Sequence, residues 1–225
     1  MFFHPVVFFM MMVFVASVVV LFFVVQIGII SYAFDKIGVP SEAMFSLLLL
    51  SWIGSWVNIP IARLRAEVPM MEGGVVVRAF GQRYVIPQWS QQRQTVLAVN
   101  VGGALVPTLL SLYLLTHALS PLRVVVATAA VTLLTYRLAR PVAGVGIVVP
   151  MLLPPLSAAL AALLLVPQQA PLAAYVAGTM GTLVGADLLH LGKIRGLATP
   201  VASIGGAGTF DGVFLTGIIA VLLAS

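Results

Sequence analysis

The sequence predicts an all-α fold: a polytopic transmembrane helical bundle of about seven spans, some of them broken or kinked, with a small cytoplasmic β-hairpin. Three observations predict it. Of the 225 residues, 61% are apolar and 8% charged, which leaves too little polar surface to cover a water-soluble globule of this size. Seven mostly apolar segments approach the ~20 residues that a membrane-crossing helix needs. With seven spans, nine of the eleven basic residues fall on one side of the membrane, the asymmetry that marks a cytoplasmic face. Residues 1–225 therefore read as a single integral membrane domain.

The spans fall near 6–30, 43–62, 95–116, 122–136, 142–166, 172–191 and 203–224. The first, PVVFFMMMVFVASVVVLFFVVQIGII, has no Lys or Arg before its apolar run and is longer than a signal-peptide core, so it reads as a retained span. Pro40, Pro121, Pro141, Pro171 and Pro200 punctuate the connections, where a helix cannot continue past an X-Pro step. Pro150, Pro154 and Pro155 must kink or interrupt the fifth span. The one long polar connection, residues 63–94, places VVVRAF and RYVIP on either side of Gly81-Gln82, the pattern of a β-hairpin.

The basic residues orient the chain. Arg63, Arg65, Arg78, Arg83, Arg93, Arg137, Arg140, Lys193 and Arg195 share the side of the N-terminus, and only Lys36 and Arg123 lie opposite. The expected location is the cell inner (plasma) membrane, N-terminus cytoplasmic and C-terminus outside. The lipid bilayer is the expected partner. The net charge of +5 records this orientation and does not indicate nucleic acid. With no cysteine there are no disulfides or thiolate sites. His4, His117 and His190 lack paired-ligand spacing and no phosphate loop occurs, so neither a metal nor a cofactor is expected. His190 reads as an interfacial residue.

The candidate site rests on carboxylates where lipid penalises them. Asp187 and Asp211 lie inside the last two apolar segments, and a carboxylate at membrane depth must be paired, protonated or open to water. Their offsets from the cytoplasmic ends of antiparallel spans, four and eight residues, bring them to similar depth. By the same reasoning Asn58 and Asn100 share a depth, and Arg140 lies on that side too. Gly178, Gly181, Gly185, Gly208 and Gly212 are residues that let membrane helices approach closely. Gly205, Gly206 and Gly208 in GGAG suggest a broken helix whose free N–H groups can hold a substrate carbonyl or an anion. Asp187 and Asp211 are thus the catalytic candidates, and Asn58, Asn100, Gly205, Gly206, Gly208 and Arg140 the candidates for substrate or ion binding.

Taken together, NIP (58–60), NVGGALVP (100–107), RPVAGVGIVVP (140–150), GTLVGADLLHLGKIRG (181–196) and GGAGTFDGVFLTG (205–217) resemble the prokaryotic membrane family called domain of unknown function 1614. The resemblance covers residue 40 to the end and implies a multi-pass membrane protein, without supplying an activity. The two aspartates on neighbouring spans are also similar in chemistry to those of intramembrane aspartyl proteases. The GxGD motif of that group is not matched, since Asp187 follows Gly-Ala and Asp211 follows Gly208-Thr-Phe.

Three functions fit this pattern. An aspartyl hydrolase would use the two carboxylates as acid and base on a membrane-protein substrate. A proton- or cation-coupled transporter or channel would use them as an ion site, and so few spans would then predict a homodimer. A non-catalytic membrane scaffold is the third. The orientation is open to direct test: a reporter active only in the cytoplasm, fused after Ser225, should be silent, and an active one overturns the span count.

Overall fold

The computed structural model describes residues 5–65, 70–79, 82–90, 94–142, 146–196, 199–206 and 212–225. Among them are seven α-helices: α1 (Pro5–Lys36), α2 (Ser41–Gly54), α3 (Val106–Thr116), α4 (Pro121–Leu138), α5 (Leu153–Leu165), α6 (Ala170–Thr182) and α7 (Gly212–Leu223). Seven strands accompany them: β1 (Asn58–Arg65), β2 (Met70–Ala79), β3 (Gln82–Ser90), β4 (Gln94–Asn100), β5 (Arg140–Val142), β6 (Gly146–Val148) and β7 (Val201–Ile204). Each apolar segment contains a helix, but the fold is mostly helical and not all-α.

Three stretches are long and apolar enough to cross a membrane, Phe9–Lys36, Pro121–Leu138 and Pro167–Ile194. The other apolar helices, 42–54, 101–116, 153–165 and 212–223, are shorter. At 1.5 Å per residue they rise roughly 18–24 Å, less than the ~30 Å of a hydrocarbon core. The missing length is in strands. The second segment ends in β1, the third begins with β4, the fifth opens within the β5–β6 ribbon, and the seventh opens with β7. Pro60 removes a helix N–H in the first of these, and TVLAVN and VASI carry the β-branched residues that favour strands. Apolar content alone could not separate these ends from helix.

Strands β1, β4 and β7 form one sheet in that order, β1 antiparallel and β7 parallel to β4. Residues β2 and β3 pair from Met70 opposite Ser90 to Ala79 opposite Gln82, the hairpin that the sequence predicts. Gln82 belongs to the strand and not to the turn, and the connection at 80–81 falls outside the described residues.

Helix α6 is the core. It packs against α3, α4, α5 and α7, and Ala173, Ala174, Tyr175, Ala177 and Thr179 are fully buried. Lipid is as apolar as Leu, so helices in it are held by close packing and not by exclusion from water. The glycines of α6 supply that closeness. A methyl group at Gly181 would lie 2.7 Å from Val131 Cβ of α4, and Gly178 faces Ala158 of α5 and Ala220 of α7. The α6 glycines therefore serve three neighbours and not α7 alone. Helix α1 joins the core through its last turns, with Ala33 and Phe34, and Ile37 follows in the turn after it. Its earlier residues, Phe9 to Leu21, expose apolar side chains on all sides, a surface suited to lipid.

Gly185, in the turn after α6, lies so near α4 that an added Cβ would sit 2.6 Å from the Thr132 carbonyl oxygen. Gly185→Ala should cost about 1–3 kcal/mol in detergent unfolding. Gly28→Ala, with open space around it, should cost nothing; equal stability of both variants would contradict this packing.

Candidate functional site

Two polar side chains organise the end of the bundle where the helices stop. Asn100 is the last residue of β4 and 1% exposed. From it the chain enters a π-helical turn, Val101–Leu105, that leads into α3. Asn100 Oδ1 accepts the Gly103 N–H at 2.7 Å, and Nδ2 donates to the Ser55 main-chain carbonyl at 2.7 Å and to Asn58 Oδ1 at 3.1 Å. Ser203 Oγ on β7 donates to the same Asn58 oxygen. Asn58 and Asn100 thus lie directly opposite each other, as their shared depth predicts. All three bonds of Asn100 go to protein groups, tying the end of α2 to β1 and the start of α3.

The second organiser is Asp187. Helix α6 ends at Thr182 and continues as a π-helical turn, Leu183–Asp187, before a 3-10 stretch, Leu188–Gly196. Asp187 Oδ2 accepts the Gly205 N–H at 2.7 Å, joining this broken end of α6 to the chain between β7 and α7. Gly205 and Gly206 have φ of +80° and +90°, values that only glycine adopts without strain. Of GGAG, Gly205 and Gly206 are described and are not helical, but their N–H groups are not free. Gly205 bonds Asp187, and the Gly206 N–H donates to the Ser203 carbonyl at 3.3 Å. Gly208 and Asp211, both predicted site residues, lie outside the described residues.

Asp187 borders a cleft of about 440 Å³ whose walls come from β6, β7, the start of α5, the π-turn after α6 and the start of α7. Gly206 and Gly212 line it as well. Among the described lining residues Asp187 is the single ionisable one, in a wall of Val, Ile, Ala and Pro. Thr182 and Thr199 also line it, and their hydroxyls are buried without a hydrogen-bond partner. These oxygens lie behind the cleft surface and not open to it. Arg140 is exposed on β5 and does not line the cleft. No group of three or more His, Cys, Asp or Glu that could hold a metal occurs among the described residues.

Sequence reasoning misses three parts of this site: Thr182, Thr199 and strand β7. The β7 signal was legible, since VASI is β-branched and flanked by Pro200 and Gly205. His190 also differs from expectation. It is 1% exposed, donates from Nδ1 to the Gly185 carbonyl at 3.1 Å and stacks near Tyr136, so it is a core residue and not an interfacial one.

The family described as protein of unknown function (DUF1614) matches residues 52–223, and the chain belongs to it. The match begins near the end of α2 and covers the cleft and its bundle; α1 precedes it. No curated protein and no solved structure matches the chain.

The two organisers should respond differently to substitution. Asn100→Ala strands the buried Gly103 N–H and Ser55 carbonyl and should cost about 2–3 kcal/mol in thermal unfolding. Asp187→Asn keeps an oxygen for the Gly205 N–H and should cost less than about 1 kcal/mol. The reverse ranking would show that the Asp187 charge itself holds the fold.

Proposed function

We propose that this chain is a multi-pass membrane protein whose Asp187 cleft is the active site of an intramembrane aspartyl hydrolase, with Asp187 and Asp211 as its acid–base pair. One observation carries the reading: Gly212, the residue that follows Asp211, lines the same cleft as Asp187. Two carboxylates that share a proton can hold one water, the ionised partner drawing its proton while the protonated one donates to the substrate carbonyl. The Gly205 N–H orients the Asp187 carboxylate from one side. The apolar walls suit a substrate drawn from the bilayer.

A proton- or cation-coupled transporter is the second reading. It is favoured by the π-turn that interrupts α6 beside a carboxylate, the kind of broken helix that carries ion sites in transporters. On either reading the aspartates act as one unit, in a protein oriented with its basic residues toward the cytoplasm.

Asp187→Asn, Asp211→Asn and the double variant separate the readings when assayed for cleavage of a membrane-embedded reporter and for proton-driven flux in vesicles. Residues of one unit lose activity nearly equally singly or together, so all three variants should abolish cleavage and leave flux unaffected. Loss of flux alone selects the transporter. Wild-type behaviour of both single variants in both assays makes the aspartates structural and the protein a scaffold.

A further inference from the structure

Strand β7 meets the cleft in an unusual way. Successive strand side chains point to opposite faces, so a cavity against one face touches every second residue. This cleft touches all four residues Val201, Ala202, Ser203 and Ile204, and likewise the consecutive run Gly146 to Pro150 that begins with β6. It therefore runs along strand edges and not over a sheet face.

The sheet order agrees. Strand β7 is the end strand of β1-β4-β7, and β6 pairs only with β5 among the described strands. The Val96 N–H donates to the Pro200 carbonyl, and Val96 is opposite Val201. In a parallel ladder a bonded residue is bracketed by the two neighbours of its partner, so residues 200 and 202 face β4. The main-chain groups of Val201 and the N–H of Ser203 then point outward along the free edge. Among the described residues, the Ser203 carbonyl is the one outward group with an internal use, since it takes the Gly206 N–H.

An exposed strand edge is a template for another strand, and lipid cannot satisfy its N–H and C=O groups. The cleft beside this edge offers apolar walls and one carboxylate, with no basic residue among its described lining. That chemistry disfavours an anionic ligand. An acyl chain would fill the volume but leave the edge unpaired. An uncharged, apolar stretch of polypeptide in extended form satisfies both.

We propose that the free edge of β7 receives an extended, apolar segment of another membrane polypeptide as an added strand, bringing its main chain past Asp187. This is strand addition, in which main-chain bonds give affinity and side-chain pockets give preference. It rests on the reading of the cleft as a peptide-hydrolase site, and it names the form in which the substrate binds. A helical transmembrane segment would have to unwind locally to enter, exposing the peptide bonds that a helix shields.

The test uses the full chain carrying Asp187→Asn and Asp211→Asn, which on this reading binds without cutting, in phosphatidylcholine nanodiscs. The probe is a fluorescent, lysine-flanked Leu/Ala/Val transmembrane peptide of about 20 residues, N-methylated at one position at a time. Strand addition predicts that N-methylation weakens binding about tenfold at every second position over roughly four consecutive residues, because alternate N–H groups face β7. The intervening positions should matter little. On the protein, Val201→Pro deletes an outward N–H without a bond to β4 and should weaken binding, whereas Val201→Ala should not.

Sensitivity at a three-to-four-residue spacing, which signals a bound helix, overturns the proposal. So does insensitivity at all positions, or the absence of saturable binding. Period-two binding of a peptide that the wild-type chain never cleaves keeps strand addition and removes the hydrolase. Cleavage without the period-two pattern does the reverse.

Discussion

The rest of this structure depends on one constraint: backbone N–H and C=O groups released where a helix stops early must find partners inside the protein, because lipid offers none. Four of the apolar helices stop early, and at the end where the sheet lies the chain resolves the constraint three times. The β1-β4-β7 sheet pairs the strands among themselves. Asn100 closes the junction of α2, β1 and α3 with three bonds. Asp187 closes the junction of α6 and the β7–α7 connection with its bond from Gly205. The cleft lies beside the last of these closures, where β7 has no further strand to pair with among the described residues.

The two polar organisers differ in what they leave for chemistry. Asn100 is buried and spends its amide on Gly103, Ser55 and Asn58, so its removal reads as a loss of architecture. Asp187 is partly exposed and borders a cavity, and its hydrogen bond to Gly205 orients a charge instead of hiding it. A carboxylate in an apolar wall, next to hydroxyls with no internal partner, is costly to keep for structure alone. That cost is the physical reason for proposing a functional role for Asp187 and an architectural one for Asn100, although both were candidates from the sequence.

Much of this was legible in the residues. The apolar segments located every helix, the hairpin at 70–90 followed from its valine-rich flanks, and equal depth predicted the meeting of Asn58 with Asn100. The strand ends of the second, third and fifth segments were not legible, because an apolar run such as TVLAVN serves a buried strand as well as a helix. Parallel pairing of β7 with β4 joins residues about a hundred positions apart, and no local pattern announces it. The glycines of α6 were recognisable as packing residues, but their choice of α4, α5 and α7 as neighbours depends on the whole bundle. Arg140, grouped with the site because it shares the cytoplasmic side, is exposed on β5; sharing a side is weaker information than sharing a depth.

The central claim is that Asp187 and Asp211 form one carboxylate pair, and the chain's lack of cysteine makes that claim directly measurable. Cysteines replacing Asp187 and Asp211 should join on mild oxidation in the membrane, since a disulfide needs Cα atoms within about 4.4–6.8 Å. Asn58→Cys with Asn100→Cys, at opposed positions of β1 and β4, calibrates the yield. Cross-linking of the 187–211 pair comparable to that control is the predicted result. A 187–211 pair that neither oxidises nor accepts a short bis-thiol-reactive bridge, while the control closes, places the two side chains apart and contradicts shared acid–base chemistry.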